Sequence, residues 1–412
     1  MSRMYTTGKA ITGICANLRQ IAVPCTQVVG LGPLSLVSCF LRGQQPDQQM
    51  WVSKHQAPPT KHQVPMKGFV SSRLHPFWNL LLLLGIALAT FCIAGFFATV
   101  FSNLFFGIGL RELGNVTQNP QGYPNGWGVL MLTQGLTLFI MLAGAALALA
   151  SLTGHSWREY FTPRGPVSAV WLLAAAAVVV LSLPLMSTLI EWNANVHLPD
   201  ALSGFEQWAR AKEEELKGVT AFLTRLNSPL RLAVALVVIG VVPAVSEELF
   251  FRSVIQRNLV NWFSRHVGIV LAAAIFSAIH MQFLGFVPRF VLGLVLGYLY
   301  EWSGNILVPM MAHFTQNATQ LLLLYVQQQE WNTSNFNPDS TESMPWYLVL
   351  LSVLFTGGIL YFLYQRSQNR EPAEMHTLSS GGVAVATPET VPTEARTLGS
   401  AGLRADALPP RA

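Results

Sequence analysis

The chain has 412 residues, of which 51% are hydrophobic and only 11% are charged, with a net charge of +5. An ordinary soluble domain carries about 25% charged residues, so this composition indicates a membrane protein and excludes a soluble enzyme, a fibre or a disordered scaffold. The small net charge, without a dense stripe of Lys and Arg, fits anionic lipid headgroups and no nucleic acid. The sequence therefore predicts an all-α fold, a polytopic transmembrane helical bundle of about eight spans.

The first 65 residues carry no regular apolar pattern. Arg19 and Pro24 interrupt the best candidate for a signal sequence. We predict that residues 1–65 are a disordered extension or a mis-assigned start, with Met66 as the true beginning. At the other end, residues 371–412 are rich in Pro, Thr, Ala and Gly, which predicts a disordered cytoplasmic tail.

Eight apolar segments are long enough to cross a bilayer, provided that the bilayer thins locally around the two shortest. They are 77–102, 128–151, 167–190, 230–256, 267–284, 286–301, 304–327 and 345–364. In this arrangement one side receives the flanking basic residues Lys67, Arg73, Arg158, Arg164, Arg257, Arg265, Arg366 and Arg370. Because Lys and Arg are retained on the cytoplasmic side, we expect both termini to be cytoplasmic, in the cell (inner) membrane.

The segments divide the chain into regions. Residues 66–228 hold the N-terminal spans and a long outer loop, 191–228, in which apolar residues at helical spacing predict an amphipathic helix along the membrane interface. Residues 328–370 form a loop and the last span. Between them, residues 229–327 contain nearly all the ionisable residues that interrupt apolar spans. Such residues are costly in lipid, so they indicate function.

The fourth span contains two adjacent carboxylates, Glu247 and Glu248, and Arg252. Glu248 and Arg252 are four residues apart and share a helix face, which predicts a charge-assisted pair. Glu247 points about 100° away and lacks that partner, which suits a general base. Pro243 deprives the Ile239 carbonyl of its helical donor, so we expect an unpaired carbonyl, a bend and water near Glu247.

Two later spans add His280, and then His313 with Asn317 on one helix face. A glutamate and a histidine can hold and deprotonate a water, while a second histidine and an asparagine can donate hydrogen bonds to an oxyanion. The chain has no GxSxG or Cys-His signature that would supply a nucleophile.

The motifs EExxxR from Glu247 to Arg252, FxxxH from Phe276 to His280 and HxxxN from His313 to Asn317 resemble the CAAX protease and bacteriocin-processing family, also called the Abi family. The resemblance covers 229–327 as a catalytic core and implies a membrane-embedded endopeptidase. We expect it to need no cofactor, with zinc as the alternative. The resemblance also implies that Glu247 and His280 activate water, that His313 and Asn317 form the oxyanion site, and that Glu248 and Arg252 support them. The implied substrate is a membrane-associated protein or peptide.

Three alternatives stay open. Glu247, His280 and His313 form a possible zinc ligand set, although the usual HExxH helix is absent. A transporter would use buried carboxylates and histidines as a proton relay, but residues 77–228 hold no second EExxxR that would indicate repeated halves. A non-catalytic scaffold or immunity protein would retain the fold without the chemistry.

The sixth span has two further features. Gly293 and Gly297 have the small-xxx-small spacing that lets another helix approach closely. Arg289, at the start of the span, is either an interfacial anchor or a substrate-binding residue.

Overall fold

The computed structural model of the chain describes residues 68–71, 74–162, 166–329 and 344–369. The predictions for residues 1–65, for a start at Met66 and for the tail 371–412 lie outside these described residues. So do several of the basic residues on which the orientation rests, among them Arg164 and Arg370.

The described residues form α-helices joined by short turns and contain no strand, which confirms the predicted all-α fold. The helices are α1 (Pro76–Phe106), α2 (Leu110–Gln118), α3 (Gly126–Leu152), α4 (Trp157–Phe161), α5 (Ala169–Leu181), α6 (Leu183–Ala194), α7 (Ser203–Leu223), α8 (Pro229–Trp262), α9 (Arg265–Ala278), α10 (Phe286–Ser303), α11 (Leu307–Gln328) and α12 (Trp346–Gln368).

Five of the described helices, α1, α3, α8, α10 and α12, are long and apolar enough to cross a membrane, and α5 with α6 makes a sixth candidate that is bent by 46°. The chain is therefore a multi-pass membrane protein. Helix α9 has only 14 residues, while α11 has 22 residues with polar side chains along its middle. Both coincide with predicted spans, and the total of eight crossings stays a prediction.

The bend between α5 and α6 follows from Pro184, which has no N–H to donate to the preceding turn. Ser352 of α12 fills the gap in the backbone ladder. Its hydroxyl donates to the Leu181 carbonyl at 2.6 Å and accepts from the Leu185 N–H at 3.3 Å. A third helix thus satisfies the backbone at the bend.

Helices α9 and α10 pack closely where α10 carries its two spaced glycines. A Cβ atom at Gly293 would lie 3.1 Å from the Ala273 Cβ, and one at Gly297 would lie 2.8 Å from the Ile269 Cγ2. The spacing predicted such an approach, and α9 is the neighbour that makes it. This packing fixes the end of α9, where His280 follows.

The helix ends are linked at one end of the bundle by polar contacts. Arg257, near the end of α8, donates from Nη1 to the Tyr160 carbonyl at 2.7 Å. Arg265, at the start of α9, pairs through Nε with Glu301 Oε1 at 2.9 Å. The turns that follow α3, α8 and α10 therefore lie at the same end.

The loop 191–228, which the sequence predicts on the outer side, contains the predicted amphipathic helix, α7. It packs against the turn that follows α9, where the Leu284 N–H donates to Glu213 Oε2 at 2.9 Å and the Phe283 ring contacts Trp208. At its start, hydrogen bonds from the Leu198 N–H, Arg210 and His197 lower the pKa of Glu206 to about 2. Because the Glu206 carboxyl is ionised at neutral pH, these hydrogen bonds are fully formed there, and their contribution to stability is lost only as the pH falls towards 2.

Candidate active site

The carboxylates lie on a short α-helical stretch of α8, from Val242 to Phe250, between two π-helical turns at Leu236–Val241 and Phe251–Gln256. π-Turns change the helix register and often occur at functional sites. Here they determine the faces on which the two glutamates are presented. The sequence pattern did not predict either turn.

The gap that Pro243 leaves in the backbone ladder is filled by a side chain. Asn317 Nδ2 of α11 donates to the Ile239 carbonyl at 3.1 Å. The expectation that this carbonyl is unpaired is therefore wrong, because an amide from a neighbouring helix replaces the missing backbone donor. The same bond ties α11, with His313 one turn earlier, to α8.

Glu248 is fully buried and bonds to two cationic or donating partners at once. Its Oε2 lies 2.9 Å from Arg252 Nε, as the spacing of four residues predicts. Its Oε1 lies 2.9 Å from His313 Nδ1. An ionised carboxylate can only accept, so His313 donates from Nδ1 and directs its Nε2 away from Glu248. The sequence predicted the bond to Arg252 but not the bond to His313.

His280 follows the last turn of α9. Its Nδ1 lies 2.7 Å from the Phe276 carbonyl. Since a carbonyl only accepts, the proton is on Nδ1, and Nε2 of the neutral ring carries a lone pair. The next residue, Met281, has a φ of 55°, a left-handed conformation that is unusual for a residue with a side chain. This reverses the chain directly after His280.

Glu247 faces both histidines. Its Oε2 lies 3.9 Å from His280 Nε2 and 3.9 Å from His313 Nε2. The residue is only 7% exposed, and within the described part of the chain this oxygen has no hydrogen-bond partner. Adjacent glutamates thus have different surroundings: Glu248 forms an ion pair with Arg252 and accepts a hydrogen bond from His313, while Glu247 Oε2 lies 3.9 Å from each of two imidazole nitrogens.

Phe276 packs at the centre of this group, a position that the sequence reasoning did not assign. Its ring lies 5.0 Å from that of His280, 6.1 Å from that of His313 and 4.8 Å from the Arg252 guanidinium carbon. A cation over an aromatic face is stabilised by the ring quadrupole. Phe276 therefore contacts three of the polar residues, and its place in the FxxxH motif was the signal for it.

The six residues that the sequence selects occupy two helices, α8 and α11, and the turn after α9. Glu247, Glu248, Arg252, His280 and His313 form one connected group, and Asn317 lies beside it, bonded to the backbone of α8. Among the described residues, no group of three or more His, Cys, Asp or Glu side chains has the proximity that a metal ion requires.

The segment that carries this group is similar to known proteins in sequence. Residues 229–319 match the sequence model of a family described as type II CAAX prenyl endopeptidase Rce1-like. This confirms, for the segment that carries the group, the family resemblance inferred from the three motifs. Members of that family are described as endopeptidases, which are hydrolases.

One curated protein is similar over a shorter stretch. The uncharacterized protein YpbD of Bacillus subtilis (strain 168) is 38% identical over 79 residues, which is 18% of this chain and 38% of the relative. The chain thus spans well under two thirds of that relative's length. No solved structure matches the chain significantly.

Proposed function

We propose that this protein is an intramembrane endopeptidase that hydrolyses peptide bonds of membrane-associated proteins or peptides with a water activated by Glu247 and His280. The observation that carries the proposal is the buried Glu247 Oε2, which lies 3.9 Å from Nε2 of each histidine. These separations are too long for direct hydrogen bonds and suit a water held between the groups.

The tautomer of His280 supports its role in holding that water. Because Nδ1 donates to the Phe276 carbonyl, the Nε2 lone pair accepts one water hydrogen while Glu247 accepts the other. As the water oxygen attacks the carbonyl carbon, Glu247 takes its proton and the carbonyl oxygen becomes an oxyanion. Transfer of that proton to the nitrogen of the leaving amine then breaks the carbon–nitrogen bond.

His313 and Asn317 are the proposed donors to the oxyanion. His313 already donates from Nδ1 to Glu248, so donation from Nε2 needs the imidazolium, which the Glu248 carboxylate stabilises. Asn317 has two amide hydrogens, of which the Ile239 carbonyl takes one. The second is available for the oxyanion. Arg252 holds Glu248 in place for this purpose.

The substrate class is a membrane-associated protein or peptide, reached from the lipid bilayer, and no nucleic acid is involved. The description of the matching family supports processing of prenylated CAAX proteins, and peptide maturation is the other option. The first experiment measures cleavage of a farnesylated peptide with a CAAX end, and of the same peptide without the lipid, by purified protein in lipid nanodiscs.

Glu247→Gln tests the mechanism directly. The amide cannot accept the proton of the attacking water, so we expect turnover to fall by about 10²–10⁴, the usual contribution of general acid–base catalysis. The matched control is Glu112→Gln, which changes an exposed glutamate in α2. Full activity of purified Glu247→Gln would exclude the mechanism. A wild type that cleaves no peptide would favour a transporter or a scaffold instead.

Chelation tests the alternative in which Glu247, His280 and His313 bind zinc. We propose that no metal cofactor is needed, so cleavage should survive exhaustive treatment with a strong chelator, since a carboxylate–histidine pair needs no ion. If chelation abolishes cleavage and stoichiometric zinc alone restores it, these residues are zinc ligands and the assignment of Glu247 as base is wrong.

For the topology, we propose eight crossings with both termini in the cytoplasm of the cell (inner) membrane. The contacts Arg257–Tyr160 and Arg265–Glu301 support this, because they link turns that the eight-span arrangement puts on the cytoplasmic side. In a chain without native cysteines, Gln329→Cys should react with an impermeant thiol reagent from outside, and Asn261→Cys only after lysis. Labelling of both from the same side would contradict the eight-span count.

A further inference from the structure

Arg289, in the first turn of α10, points back towards the turn that follows His280. Its Nη1 lies 3.5 Å from the carbonyls of Gln282 and Gly285, and its Nη2 donates to Gln282 Oε1. The side chain is half-buried. An interfacial anchor would extend towards water, so this conformation favours a substrate-binding role for Arg289 over an interfacial one.

The direct partners of this guanidinium are all neutral. Within the described part of the chain, no carboxylate oxygen lies within the 4.0 Å of an ion pair to Arg289. The carboxylates that act on it electrostatically are Glu213 and Glu247, at longer range. Two of its hydrogen bonds have lengths at the outer limit, and a guanidinium has five N–H donors. The group therefore retains both charge and donors for an anion.

The position of Arg289 relates it to the reacting group. Its charge acts on His280 as well as on Glu247. The turn that holds it begins at Met281, directly after His280, and is held from the other side by Glu213 of α7. An anion bound by Arg289 would therefore be held beside the pair that we propose activates water.

We propose that Arg289 binds a carboxylate of the substrate and so positions the scissile bond against Glu247 and His280. The inference rests on the proposed function, since it assigns a binding role at that site. The planar guanidinium fork matches a carboxylate bidentately, which gives orientation as well as attraction. The carboxylate is either the free C-terminus of the substrate or an acidic side chain near the cleaved bond.

Three farnesylated peptides of otherwise identical sequence separate these sources. The first ends in a free carboxylate, the second in an amide, and the third in an amide with a Glu side chain next to the end. We expect wild-type kcat/KM for a carboxylate-bearing peptide to exceed that for the plain amide by about 10- to 100-fold, the range of a charged hydrogen bond. Preference for the first or the third peptide identifies the source.

The variant Arg289→Gln should abolish this preference by slowing the carboxylate peptide and leaving the amide peptide nearly unchanged. Arg289→Lys keeps the charge and should restore part of the preference. The matched control is Arg265→Gln, which removes an arginine paired with Glu301 at the other end of α9. If Arg289 only braced the turn after His280, Arg289→Gln would slow all three peptides equally, and the inference would be wrong.

A binding measurement separates this inference from the proposed function. In the Glu247→Gln background, the carboxylate peptide should bind at least about tenfold more tightly than the amide, and Arg289→Gln should remove the difference. Equal affinities overturn the role of Arg289 even if the wild type is an active peptidase. A wild type that cleaves nothing yet binds with this preference contradicts the proposed function and leaves Arg289 as a carboxylate site.

Discussion

Two helices of this bundle are interrupted by a proline, and a polar side chain from another helix satisfies the backbone in both places. At Pro184 the hydroxyl of Ser352 donates to the Leu181 carbonyl and accepts from the Leu185 N–H. At Pro243 the amide of Asn317 donates to the Ile239 carbonyl. The serine hydroxyl has a single hydrogen, which is used, whereas the asparagine amide keeps a second hydrogen that is available for chemistry.

The regions around these two prolines also differ in the charge of their buried polar residues. In α1 to α6 the buried polar residues are neutral, and hydroxyls such as those of Thr153 and Ser182 bond to carbonyls of their own helix. In α8 to α11 the buried polar residues include Glu247, Glu248 and His313. Buried charges are costly unless they are paired. Buried ionisable groups are thus concentrated in the second region, where the proposed catalytic residues lie.

The largest expected effect comes from breaking the buried pair. Glu248→Gln or Arg252→Met leaves one uncompensated buried charge, which should lower the free energy of unfolding by about 3–5 kcal/mol. Thermal unfolding in nanodiscs, followed by tryptophan fluorescence, measures it. Either single variant with wild-type stability would show that the pair is not buried.

A double variant separates stability from chemistry at this position. Glu248→Leu with Arg252→Met removes both charges, and such replacements are often neutral or stabilising, so the unfolding temperature should recover most of the loss, apart from the cost of the His313 Nδ1 donor that Glu248 no longer accepts. Cleavage should stay lost because His313 no longer has a carboxylate to orient it. Recovery of activity in the double variant would contradict the role of Glu248.

Asn317→Ala has the next largest effect and tests the comparison of the two prolines. Loss of one oxyanion donor typically lowers turnover by about 10²–10³. The same change leaves the Ile239 carbonyl without its donor, so stability should fall as well. Pro243→Ala returns a backbone N–H to that carbonyl. In the double variant, stability should therefore recover and turnover should not. Parallel recovery of both would mean that Asn317 acts only on the backbone.

The sequence predicts those contacts that depend on positions near one another in the chain. Each of the eight predicted apolar segments coincides with a helix or, for 167–190, a pair of helices, and the spacing of four residues predicted the ion pair between Glu248 and Arg252. The bond from Glu248 to His313 joins residues 65 positions apart, and the bond from Asn317 to Ile239 joins residues 78 positions apart. No local periodicity predicts contacts between residues so far apart in the chain. The role of Phe276 depends in the same way on helices that meet only in the folded bundle.

The surroundings of α7 are a second example of what local sequence spacing does not predict. Its apolar spacing predicts a helix but not what the apolar face contacts. In the structure Glu213 and Trp208 contact the turn at Phe283 and Leu284, while the apolar side chains of Phe205, Trp208 and Val219 stay exposed, so the position of α7 at the membrane interface stays a prediction. A helix that packs on protein and one that lies on lipid have the same periodicity.

Packing in the second region, α8 to α11, should be less tolerant of an added methyl group than packing in the first. A Cβ atom at Gly297 would lie 2.8 Å from Ile269 Cγ2 and 2.9 Å from Gln256 Oε1, so Gly297→Ala should cost about 1–3 kcal/mol. The matched control is Gly85→Ala in α1, where a Cβ atom would meet nothing within 4 Å. It should gain up to about 1 kcal/mol from helix propensity. Equal effects on the unfolding temperature would contradict the close approach of α9 and α10.

The smallest effect is expected for Ser352→Ala, the counterpart of Asn317→Ala at the other proline. The hydroxyl bonds to the backbone on both sides of the bend, and hydrogen bonds between helices in membranes average about 0.6 kcal/mol. The unfolding temperature should fall slightly, and kcat/KM should not change because Ser352 lies outside the catalytic group. The control is Ser182→Ala, whose hydroxyl bonds only to the Val179 carbonyl of its own helix. If Ser352→Ala lowers cleavage as strongly as Asn317→Ala does, both side chains affect activity only by satisfying the backbone beside a proline. The oxyanion role of Asn317 then loses its support.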